Sequence, residues 1–93
     1  MTTRVAVISI IVEDGVATEK INEYLHIYKQ YILGRMGIPY RERKISVISI
    51  VLDAPEDKIS ALSGKLGRLK GVSIKTVYSQ KVFDTIGEGE NCE

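Results

Sequence analysis

An α+β sandwich, with one antiparallel four-stranded sheet and two helices on one face, is the fold class this sequence predicts. Three observations lead there. The first is a pair of stretches, Val5–Val12 and Ile45–Leu52, that are apolar on both faces of an extended strand. Side chains alternate across a strand, so a half-solvated strand should read apolar, polar, apolar. In the first stretch Val5, Val7 and Ile11 oppose Ala6, Ile8, Ile10 and Val12; in the second Ile45, Val47 and Val51 oppose Ile48, Ile50 and Leu52. Strands of this kind lie in the middle of a sheet that is covered on both sides. The second observation is that the rest of the chain supplies two convincing helices, enough for one side, so another copy is expected on the other: a homo-oligomer, dimer or tetramer. The third is the order strand, helix, strand, strand, helix, strand. With right-handed crossovers two βαβ halves fold into a ferredoxin-like βαββαβ sandwich whose central strands are the first and third. Those are the doubly apolar ones.

In chain order, the first strand covers Arg4–Val12 and ends at Glu13-Asp14-Gly15, a turn signal. A helix is predicted over Val16–Tyr31. A step of about 100° per residue gathers Ala17, Ile21, Tyr24, Leu25, Tyr28 and Ile32 on one face and Glu19, Asn22, Glu23, His26 and Gln30 on the other. Gly34 and Gly37 end that pattern and Pro39 opposes helix nearby, so Leu33–Arg43 reads as a loop leading into an edge strand. The second doubly apolar strand runs over Lys44–Leu52. Asp53-Ala54-Pro55-Glu56-Asp57 has the form of a helix start: a capping carboxylate, an early proline, and acids against the positive end of the dipole. The helix it opens carries Ile59, Leu62, Leu66 and Leu69 on one stripe and should stop at Lys70-Gly71. Val72–Gln80 is the last strand.

The 93 residues suit one domain, residues 1–81, followed by an acidic, glycine-bearing tail, 82–93, expected to be flexible. All 13 Lys and Arg lie in residues 1–81 against 8 acids, a net +5 there, while the tail holds Asp84, Glu88, Glu90 and Glu93. That balance is ordinary for solubility. Without an Arg/Lys run, stacking aromatics or a helix-turn-helix pattern, direct nucleic-acid binding is not expected. The single cysteine, Cys92, fits a reducing cytoplasm, and neither a signal peptide nor a bilayer-length apolar run is present.

Little in the chain points to chemistry. His26 is the sole histidine, and a structural zinc site wants four Cys or His ligands, so no metal site and no cofactor are assigned. No serine sits in a nucleophile-elbow sequence with a histidine to activate it, so the chain does not read as an enzyme. Anion recognition has more support: Arg35, Arg41 and Arg43 cluster around a Gly37-Ile38-Pro39 turn, and guanidinium groups suit carboxylate or phosphate. Asp14, Gly15, Arg35 and Arg41 are therefore the candidate contacts for a small effector. In the second helix Ser60, Ser63, Gly64 and Gly67 share an arc opposite the leucines. Two glycines inside a helix cost about 1 kcal/mol each against alanine, and a smooth face admits another backbone closely. That arc is the candidate interface. If no small ligand exists, the alternative function is a structural protein–protein interaction module using this face.

Asn22-Glu23-Tyr24-Leu25-His26, Ile32–Glu42, Ala61-Leu62-Ser63-Gly64-Lys65-Leu66-Gly67 and Gly71-Val72-Ser73-Ile74-Lys75 resemble the small iron-only hydrogenase system regulators, over about Val5–Val77. The resemblance implies an ACT-like ferredoxin fold, related to the sensor domain of the nickel-responsive repressor, and assembly to dimers or tetramers. It also implies a regulatory role, with small effectors at subunit interfaces. The stretch Arg35–Lys44 carries arginines where that repressor has its histidine and cysteine nickel ligands, so nickel sensing does not transfer.

Overall fold

The two doubly apolar stretches become the two central strands. In a computed structural model, which describes Thr2–Asp84, the elements are β1 (Thr2–Val12), α1 (Thr18–Ile27), β2 (Ile32–Tyr40), β3 (Ile45–Ala54), α2 (Glu56–Gly67) and β4 (Val72–Asp84). All pairings are antiparallel and the strand order is β2-β3-β1-β4. With two helices packed on the sheet, this is the ferredoxin-like arrangement that the element order predicts.

The register sorts each apolar parity onto one face. Ile10 of β1 pairs with Ile48 and Ile74, and Ile8 with Ile50 and Thr76. Together with Ala6, Val12, Leu52 and Ala54 these residues form the buried face, against Ile21 and Leu25 of α1 and Ile59, Leu62 and Leu66 of α2. Ile8, Ile10, Ile50 and Leu52 are wholly buried. At roughly 1.5–3 kcal/mol per fully buried aliphatic side chain, this layer is the main source of stability. Lys65 of α2 joins the two helices from above, its ammonium 5.4 Å from the Tyr28 ring and 5.9 Å from the Tyr24 ring of α1.

Several predicted boundaries are corrected. The segment from Val16 to Tyr31 is not one helix: a 3-10 turn at Gly15–Ala17 leads into α1, and a second 3-10 turn, Lys29–Tyr31, follows it. Asp14 caps the first turn, its Oδ1 accepting the Val16 N–H at 3.0 Å. Leu33–Arg43 is mostly strand rather than loop. Gly34 and Gly37 end the helical pattern yet take extended backbone, paired with Val51 and Ile48. Pro39 does sit on an edge strand, where its missing N–H is harmless. Asp53 does not cap α2. It is the penultimate residue of β3, and Pro55 holds the cap position without a side-chain bond. Helix α2 stops at Gly67, ahead of the predicted Lys70-Gly71. Gly71 still turns the chain, at φ 77°, and a Cβ there would collide with Asp14. The last strand runs past Gln80 to Asp84, returning along Thr2–Arg4. No helix among the described residues is long and apolar enough to cross a membrane.

Candidate functional site

The face of the sheet away from the helices is apolar and uncovered in the single chain. One row across it is Ile38, Val47, Ile11 and Ser73; another is Gly34, Val51, Val7 and Val77. A polar row of Met36, Ser49, Ser9 and Lys75 lies between them. Ile38, Ile11, Val47, Met36 and Val77 are all exposed, from 38% at Val47 to 66% at Val77. Strand spacing and rise give the three rows together an area of about 400 Å² in plane, about a third of it the middle row with its two serines and lysine, within the size of the largest apolar patch on an ordinary monomer.

The four effector candidates are not gathered in one place. Asp14 and Gly15 follow β1 at the end of the sheet where Glu13 N–H donates to the Gly71 carbonyl at 2.7 Å. Arg41 lies in the 3-10 turn Arg41–Arg43 that joins β2 to β3, at the same end. Arg35 is six residues back along β2, roughly 20 Å away at strand rise. The expected arginine cluster around a Gly37-Ile38-Pro39 turn is thus corrected: those three residues are extended strand, which holds Arg35 apart from Arg41 and Arg43. Arg35 instead reaches α1, its Nη2 donating to Asn22 Oδ1 at 3.2 Å. Beside that bond α1 and β2 flank an open groove of about 370 Å³ lined by Asn22, Leu25, His26, Lys29, Ile32 and Arg35. Sequence periodicity put Asn22 and His26 on a solvated helix face and did not single out Lys29. Their i, i+4, i+7 spacing was a signal, but the strand they face was not.

The small-residue arc of α2 lies partly against β4. Ser63 Oγ lies 2.9 Å from Thr76 Oγ1 and Ser60 Oγ 3.3 Å from Tyr78 Oη, both on β4. At Gly67 a Cβ would stand 3.6 Å from Ile74 Cδ1, also on β4. Side chains of the chain's own edge strand thus meet part of this arc, while Ser60 and Gly67 remain exposed. Gly64, half-buried, keeps open space apart from the end of Arg68. Among the described residues no group of three or more His, Cys, Asp or Glu side chains could hold a metal ion. Cys92 lies outside the described residues.

Comparison with known proteins supplies the family. Residues 4–76 match the family model described as "TM1266-like: Iron-only hydrogenase system regulator, putative". The chain belongs to this family. The structure of the uncharacterized protein TM1266 from Thermotoga maritima is 42% identical, covers 82% of this chain and 96% of its own, and superposes with a TM-score of 0.78. A formyltetrahydrofolate deformylase from Pseudomonas putida is 13% identical over 78% of this chain and 28% of its own, with a TM-score of 0.59. That likeness is of fold alone. No curated protein matches the chain. The match begins at Arg4 in β1 and ends at Thr76 in β4, so it reaches all six elements. Both walls of the α1–β2 groove lie inside it.

Proposed function

We propose that this chain is the sensing and assembly domain of a hydrogenase-system regulator, which pairs with another copy of itself through the open face of its sheet and answers to a small effector. The observation that carries the reading is the uncovered apolar face: Ile38, Val47 and Ile11 stand in register across β2, β3 and β1, and Val77 of β4 is exposed on the same face two rows away, with no helix over them. Leaving that surface in water costs about 25 cal/mol per Å² of apolar area, which a second copy would recover. Membership of a family described as "Iron-only hydrogenase system regulator, putative" supports the role. Its output would be exerted on hydrogenase-related genes through the assembled form.

The test is the absolute mass in solution, by light scattering on a sizing column at two concentrations, for the wild type and for Val47→Glu. A dimer or tetramer that persists on dilution and falls to monomer in Val47→Glu supports self-assembly through this face. A clean wild-type monomer would overturn it, leaving an unlike protein as the cover. An unchanged oligomer in Val47→Glu would place the contact elsewhere.

A further inference from the structure

We infer that the groove between α1 and β2 is a binding site for a small oxyanion, a carboxylate or phosphate group carried on a short apolar body. The floor of the groove is apolar, with Leu25 only 2% exposed and Ile32 half-buried. Its rim is cationic and polar. Asn22, His26 and Lys29 come from one stripe of α1 and its 3-10 extension, and Arg35 comes from β2 across the gap. No carboxylate lines it. The ion pairs of Arg4 with Glu56 and of Lys20 with Glu23 lie elsewhere, so Lys29 and Arg35 have no acid partner among the described residues.

Two features distinguish this from a scatter of surface charge. The first is that Arg35 is held. Its Nη2 donates to Asn22 Oδ1, and this ties the guanidinium to α1 while its other N–H groups remain unused among the described residues. A guanidinium presents its donors as a rigid fork matched to carboxylate and phosphate oxygens. The second is the origin of the charges. The negative end of the α1 dipole favours His26 and Lys29 for its own reasons, but it does not account for an arginine arriving from another element. Arg35 shares its sheet face with Ile50, Ile8 and Thr76, beside a helix that leaves the β2 edge open. Gly37 and Pro39 follow on the same face and are exposed, so the approach to the guanidinium is unobstructed.

This site deepens the effector part of the proposed function and is independent of the assembly part, because it lies on the helix side of the sheet. The experiment is a titration of the isotopically labelled protein followed by amide and side-chain NMR shifts. Inorganic phosphate is the probe in one arm and butyrate in the other, at constant ionic strength against chloride, with wild type, Arg35→Gln and Lys29→Gln. Both substitutions are at exposed positions and the folded spectrum verifies each variant. Saturable shifts centred on Asn22, His26 and Arg35, with apparent affinity falling tenfold or more in Arg35→Gln and severalfold in Lys29→Gln, are the expected result. Saturation by phosphate alone assigns a phosphoryl ligand, and saturation by butyrate alone a carboxylate. Linear shifts spread over the surface, saturation centred away from the groove, or affinity unchanged in both variants would each overturn the site. None of these outcomes bears on the light-scattering mass, so failure of the site and failure of the assembly reading remain separate results.

Discussion

The two faces of this sheet are built from the same strands and nearly the same residue types, yet they have opposite fates. Ile10 and Ile11 are neighbours in β1; Ile10 is fully buried and Ile11 is 42% exposed. Ile48 and Val47 repeat the contrast one strand over. What separates the faces is the placement of two helices. Apolar character is therefore evidence that a surface is meant to be covered, while the identity of the cover is a property of the assembled chain. Composition grades the faces too: the helix-side rows are nearly all aliphatic at the centre, whereas the open face carries a serine row, Ser9 and Ser49, between its aliphatic ones. A surface that must survive alone in water during folding benefits from such a polar interruption.

The contrast can be broken most severely at Ile10. Ile10→Glu would place a carboxylate among Ile48, Ile74 and the helices with no partner, a cost of several kcal/mol that rivals the whole stability of a small domain. The expected outcome is insoluble protein or loss of a cooperative melt; a soluble variant with native Tm would mean the faces are assigned wrongly. Ile48→Glu should behave in the same way, so neither substitution can serve as a probe of assembly. Gly71→Ala comes next. It combines a left-handed backbone, worth about 1–2 kcal/mol against a side chain, with a collision at Asp14, and thermal melts should show Tm lowered by about 10 °C. Ser63→Ala removes one neutral hydroxyl pair between α2 and β4, and chemical denaturation should give a loss of about 1 kcal/mol. In a Thr76→Ala background the same change should cost less; equal losses in both backgrounds would show that the two hydroxyls do not interact. Ile11→Glu is the smallest in its effect on the fold. Far-UV circular dichroism should be unchanged while the light-scattering mass falls, the mirror image of Ile10→Glu at the adjacent residue.

How far the sequence could be read varies with the length over which the deciding force acts. The central strands were legible because β1 and β3 each carry apolar residues on both parities over eight positions, a pattern that little besides a central strand satisfies. The stripe Ile59, Leu62, Leu66 likewise announced α2. The boundaries were less legible. Gly34 and Gly37 read as chain breaks, but pairing with β3 supplies enough hydrogen bonds to hold them extended. Asp53-Ala54-Pro55 has the local chemistry of a cap, yet β3 keeps Asp53 in the ladder opposite Val5, and tertiary pairing outweighs a cap worth about 1 kcal/mol. For the candidate site, Arg35 was legible as an anion-binding residue, but its company was not. Arg41 is close in sequence and distant along an extended strand; Asn22 is 13 residues away and within hydrogen-bond reach.

The sequence by itself determined the fold class, the two central strands, the apolar character of both sheet faces, and the family. Periodicity, strand parity and family motifs are written residue by residue and survive without coordinates. Only the tertiary structure decided which parity faces the helices, that Ser60 and Ser63 of α2 meet hydroxyls of β4, and that Arg35 meets α1 rather than Arg41. These depend on register and on the crossing of helix over sheet, and both are set by the packing of the whole apolar layer at once. No local stretch of residues encodes that sum.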